Sequence, residues 1–127
     1  MIKEHEGTNY ELYGRFMDYM LQVPRIGALM ISQSKDKILL LETKGGLRRW
    51  YGFAKGKLEW GESYQDCAVW EVKEETDYNI TIKDPNDFIK VTSEMGVNSQ
   101  LYVITDVPEG YQFKANTKNE IEGHKWF

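Results

Sequence analysis

The hydrophobic positions of the chain follow two different periods. Between Thr8 and Leu21, Tyr10, Leu12, Tyr13, Phe16, Met17 and Met20 recur at helical spacing and Pro24 follows soon after, which predicts an amphipathic N-terminal helix. Val23 to Ser32 and Lys37 to Glu42 are short apolar segments joined by the polar Gln33-Ser34-Lys35-Asp36, the pattern of two strands. Leu47 to Gly61, punctuated by Gly52, Gly56 and Gly61, reads as an irregular loop. Ser63, with Asp66 three residues later, opens a run without Gly or Pro through Asp77, the strongest helix signal in the sequence. Tyr78 to Ile82, Phe88 to Thr92 and Leu101 to Val107 then read as strands, with His124 to Phe127 as a closing one. Strands around one long helix predict an α/β domain on a mixed sheet.

Composition narrows the class. A chain of 127 residues holds one ordinary core, and no Pro/Gly/Ser linker or repeat divides it. No uncharged run approaches the roughly 20 residues of a membrane span, and the polar, acid-containing start lacks the character of a secretory or mitochondrial leader. The expected setting is therefore cytoplasmic, with the nucleus as the other compartment and no membrane partner. One cysteine, Cys67, and two histidines, His5 and His124, exclude a disulfide scaffold and a zinc site of the Cys/His type, leaving oxygen ligation for any metal. The net charge of -4 removes generic attraction to nucleic acid, so a phosphate-rich ligand needs a local basic patch or a cation.

The 63–77 helix carries a chemical problem. At about 100° per residue, Glu71, Glu74 and Glu75 share one arc while Val69, Val72 and Thr76 point opposite or sideways. The acids repel one another at (i, i+3) and (i, i+4) spacing, in the half of the helix where the macrodipole favours cations. A divalent cation with hard oxygen ligands relieves both penalties; a solvated acidic face is the commoner use of such a pattern.

Spacing outside the helix favours the cation. Gly56, five residues, Glu62, seven residues, then Trp70-Glu71-Val72-Lys73-Glu74-Glu75 reproduces most of G-x5-E-x7-R-E-U-x-E-E-x-G-U, with U a bulky apolar residue. The chain thereby resembles the Nudix hydrolase family. That resemblance implies a Nudix α/β/α sandwich around a mixed β-sheet, with residues 1–22 as a short N-terminal helix and hinge and 23–127 as the hydrolase domain. It also implies Mg²⁺ or Mn²⁺ held by Glu71, Glu74, Glu75 and the Gly56 backbone against a diphosphate, with Glu74 and Glu75 in catalysis. Two positions depart from the pattern: Trp70 replaces the arginine that partners the Glu62 position, and Asp77 replaces the late glycine.

Three further stretches resemble the Nudix domain of mRNA decapping enzymes: Tyr19 to Met30, Trp50 to Leu58, and Phe113 to Glu122 with Trp126-Phe127. This implies removal of the 5′ cap from capped RNA, releasing 7-methylguanosine diphosphate, with Glu120 as the base that helps activate water and Lys55 and Lys57 steadying phosphate. In that family a helical domain N-terminal to the Nudix fold, a region not included in this chain, carries much of the cap and activator-protein contact. Lys44, Arg48 and Arg49 add to a basic cluster, and Trp50, Tyr51, Trp60 and Trp70 are candidates for base stacking, although packing is the commoner use of such rings. The alternatives are hydrolysis of small nucleoside or inositol diphosphates, and a degenerate module that binds without hydrolysing.

Overall fold

The computed structural model describes residues 15, 23–45, 48–94, 96–116 and 121–127. The expected N-terminal helix, apart from Arg15, and Glu120 lie outside the described residues. The elements run β1 (Arg25–Ser32), β2 (Leu39–Gly45), β3 (Arg48–Gly52), β4 (Ala54–Lys57), α1 (Tyr64–Thr76), β5 (Phe88–Thr92), β6 (Asn98–Val107) and β7 (Ile121–Trp126). They form a four-stranded sheet in the order β4-β1-β6-β5 and a three-stranded sheet in the order β3-β2-β7. The first is mixed, because β1 and β6 run parallel while β1 and β4, and β5 and β6, are antiparallel. This is the mixed α/β class the sequence predicts.

Alternation places Ile26, Ala28 and Met30 of β1 on the face toward α1, where they meet Cys67, Ala68 and Val72 in one buried cluster with Tyr102, Ile104 and Val107. Helix α1 begins where Ser63 accepts the Asp66 backbone N–H at 3.0 Å and ends at Asp77 in the left-handed region, φ 60°. Both bounds match the sequence reading.

Three readings need correction. Leu47 to Gly61 is not irregular throughout, for it holds β3 and β4. Both are short edge strands, and β4, with two lysines and a glycine in four residues, shows no apolar alternation. Conversely, Tyr78 to Ile82 is not a strand. Its alternation is real, since Ile80 is buried and Tyr78 and Ile82 pack against the core, but the segment plugs the cluster without joining a ladder. Finally, β6 and β7 start earlier than expected, at Asn98 and Ile121, because pairing with β1 and β2 recruits polar residues that hydrophobicity does not mark.

One close approach fixes the position of β4. A Cβ built on Gly27 would overlap the Ala54 carbonyl and Lys55, so β1 and β4 meet at a distance only glycine permits. Gly27→Ala is expected to cost about 1–3 kcal/mol through this overlap, read as a lowered urea midpoint with unchanged slope.

Candidate active site

Strand β4 and helix α1 bring Glu71, Glu75 and the Lys55–Gly56 backbone together at their interface, whereas the Lys55 and Lys57 side chains are turned away from it. Glu75 is 7% exposed, and its Oε2 accepts the Lys55 backbone N–H at 2.8 Å. A Cβ on Gly56 would overlap the Glu71 carboxylate, so this carboxylate lies directly against the β4 backbone. Glu71 and Glu74 are half-buried. The acids thus straddle the boundary of the core and do not lie along an open face.

The donor set fits a hard cation: carboxylates and the Gly56 carbonyl supply only oxygen, and the lack of a side chain at Gly56 is what lets the Glu71 carboxylate lie against the strand. Among the described residues no three His, Cys, Asp or Glu side chains form a ready-made cage. An open set of this kind suits Mg²⁺, which retains waters and substrate phosphates as ligands.

Lys55 and Lys57 point to the sheet face away from α1, since β4 alternates and Gly56 faces the helix. Lys55 Nζ donates to Ser99 Oγ at 3.3 Å. Burial holds its ammonium below the ordinary lysine range; Arg25 adds to that effect and Glu75 opposes it. Lys57 is exposed.

The Glu62 position solves the missing arginine differently from the family pattern. Trp70 is 57% exposed and lines a surface groove of about 460 Å³ with Glu62, Asp66, Val69, Lys73 and Asn79. Glu62 Oε1 accepts the Glu59 N–H at 3.0 Å, while the nearby Cys67 thiol donates to the Gly56 and Lys57 carbonyls at 4.0 and 3.7 Å. Burial, then the Glu62 carboxylate, push that thiol well above the usual cysteine range, so Cys67 is an inert donor. The brace on Glu62 is a backbone amide, not a base.

The sequence reading missed the device that holds the end of α1. The Lys73 carbonyl accepts from the Asp77 N–H and from Asn116 Nδ2, at 2.9 and 3.0 Å. The Glu74 carbonyl accepts from the Asn116 N–H at 2.8 Å, and the Thr76 carbonyl from the Lys114 N–H at 3.0 Å. His124 Nε2 lies 2.7 Å from the Glu75 carbonyl, which can only accept, so Nε2 carries the proton. The Tyr111 hydroxyl donates to the Asp77 carbonyl. Tyr78, Tyr111, Phe113, His124 and Trp126 pack ring against ring behind these bonds. Asn116 and His124 were legible only as residue types common in caps. Asp77, in the glycine's place, adds a carboxylate that accepts from Asn116 Nδ2 at 3.0 Å and pairs with Lys73 at 3.3 Å.

Comparison with known proteins places the chain in a family. The sequence model of the NUDIX domain matches residues 21–127. The chain belongs to the Nudix family. As a Nudix protein it is 34% identical over 125 residues to mRNA decapping complex subunit 2 of Schizosaccharomyces pombe, covering 98% of this chain and 16% of that protein. It is 33% identical over 118 residues to m7GpppN-mRNA hydrolase of Saccharomyces cerevisiae, covering 92% and 12% respectively. The chain therefore spans less than a fifth of the length of these relatives. Among solved structures, the Nudix fold is shared with a Caenorhabditis elegans Ap4A hydrolase, with a TM-score of 0.66 and 18% identity over 80% of this chain and 77% of that one. A MutT/nudix family protein of Enterococcus faecalis matches with a TM-score of 0.63 and 20% identity over 98% and 55%. Nudix hydrolases generally use divalent metal ions.

Asp77 supplies a test of the cap. Hydrogen bonding from Asn116, then from Lys73, lowers its pKa. Its contribution to stability is therefore present above the ordinary aspartate value and lost as pH falls through the depressed folded value. Asp77→Asn tolerates the same backbone and is expected to match the wild-type melting temperature more closely in strong acid than near neutrality, measured by circular dichroism across a pH series. Gly56→Ala is expected to displace the Glu71 carboxylate and weaken Mn²⁺ binding about tenfold or more, read by titration calorimetry, with the fold retained.

Proposed function

We propose that this chain hydrolyses the cap pyrophosphate of 5′-capped RNA, releasing 7-methylguanosine diphosphate and leaving a 5′-monophosphate RNA, with Mg²⁺ or Mn²⁺ as cofactor. The observation that carries this reading is the seating of Glu75 on the Lys55 N–H with Glu71 against Gly56, in a chain whose 34%-identical relative is named a decapping subunit. Glu71, Glu74, Glu75 and the Gly56 carbonyl are the residues that would hold the cation. Once bound, a divalent ion offsets the charge of the phosphoanhydride and acidifies water. In this reading Glu120 takes a proton from the attacking water, the P–O bond of the anhydride breaks, and the diphosphate leaves with the methylguanosine. Lys55, held by Ser99, and Lys57 stand on the other face of β4, so in this reading they can meet phosphate only where the RNA passes round the strand edge and not at the carboxylates. Cytoplasmic residence, and an activator protein that engages a region outside these residues, belong to the same reading.

The test incubates the protein and Mn²⁺ with cap-labelled RNA beside free cap dinucleotide and a diadenosine polyphosphate. Cap diphosphate is expected from RNA, with Glu75→Gln slowed about a hundredfold or more. Turnover of the small compounds alone would make the chain a small-diphosphate hydrolase. Tight RNA binding without product from any substrate would make it a binding module.

A further inference from the structure

The basic and aromatic residues around β3 are not used by the site just described. Register places many of them on one surface. Glu42 pairs with Tyr51 and Lys44 with Arg49 across β2 and β3; Leu40 pairs with Lys125 across β2 and β7; Ile38 exchanges backbone hydrogen bonds with Phe127. Laterally paired residues share a face, so Lys44, Arg49, Tyr51, Lys125 and Phe127 stand on one side of the three-stranded sheet. The opposite side carries the buried Leu39 and Leu41.

This outer face has the chemistry of a single-strand platform. Tyr51 and Phe127 are 45% and 48% exposed, and their rings meet edge to face at 5.1 Å. Lys125 Nζ sits 5.2 Å from the Phe127 ring centre, and Lys44 and Arg49 reach into solvent at the other end. Two carboxylates temper the charge: Arg49 pairs with Glu42 at 2.8 Å, and Lys44 approaches Glu122 at 4.0 Å. Three cations against two acids still leave this face positive on a chain of net charge -4. The guanidinium keeps donors beyond those used by one carboxylate. Exposed rings flanked by cations on an antiparallel sheet bind bases by stacking and phosphates by charge, without needing sequence.

Position completes the argument. Lys55 is four positions after Tyr51, so their Cα atoms lie within about 14 Å. A strand held on this face is within reach of β4 and the carboxylates of α1 packed against it. We propose that the outer face of β3-β2-β7 binds the single-stranded body of the RNA substrate, downstream of the cap. This deepens, and for its biological meaning rests on, the decapping reading.

The experiment titrates the full chain into a fluorescent, unstructured, uncapped RNA, followed by anisotropy over a range of salt, and in parallel measures cap-dinucleotide hydrolysis. Phe127→Ala is expected to weaken RNA binding about tenfold. Lys125→Glu is expected to weaken it and to reduce the slope of log affinity against log salt by about 0.7 or more. Both variants keep wild-type melting and wild-type turnover of the dinucleotide, which separates this surface from the catalytic centre. Absence of cap diphosphate release from capped RNA in the wild type, with the RNA effects intact, defeats the decapping reading and leaves the RNA surface standing. Wild-type affinity in both variants overturns the surface. So does a change in self-association or protein capture with RNA binding unaltered, since the face then serves a protein.

Discussion

The last turn of α1 is where the fold and its chemistry depend on one another. A helix end leaves carbonyls without partners, and here those carbonyls belong to the residues that also bear the acidic side chains. The strap from Tyr111 to Asn116 and His124 of β7 supply donors to that turn. These N–H and O–H groups place positive dipole where the helix is most negative. They also fix the backbone from which Glu74 and Glu75 project. The acidic cluster is therefore accommodated in two ways: protein donors hold the main chain, and the carboxylates are left to face β4.

The departures from the family pattern obey the same economy of donors. Where an arginine is expected beside Glu62, the carboxylate turns to a backbone amide, and Trp70 is released to the surface. An arginine brace is long-range and fork-shaped, whereas an amide within the same loop acts only on its neighbour. The loop before α1 consequently holds itself in shape without a contact from the helix's outer side. Where glycine is expected, Asp77 accepts the left-handed backbone and adds a carboxylate that ties Asn116 to Lys73.

Much of this was legible before any coordinates. The helix over Tyr64–Thr76, its Ser63 cap, β5 and the mixed α/β class follow from periodicity and capping chemistry. The resemblance to the family motif implied that Glu71, Glu75 and the Gly56 backbone share a site, whereas the Lys55 backbone N–H as the partner of Glu75 was not read from the sequence. What periodicity could not reveal was anything set by long-range pairing. β3 and β4 exist because neighbouring strands offer ladders to residues with little strand character, and Tyr78 to Ile82 alternates without a neighbour to pair with. The Asn116 and His124 contacts span more than forty residues, a separation at which local sequence carries no signal.

The Lys55 amide that Glu75 accepts belongs to an edge strand, since β4 pairs only with β1. Unpaired edge amides are templates for adding a foreign strand. The Glu75 carboxylate therefore closes a point of entry for polymerisation, and under the function proposed above the demands of chemistry and of colloidal solubility converge on a single side chain. Evolution away from the acid at this position would forfeit both at once, unless the replacement kept an oxygen turned toward the strand.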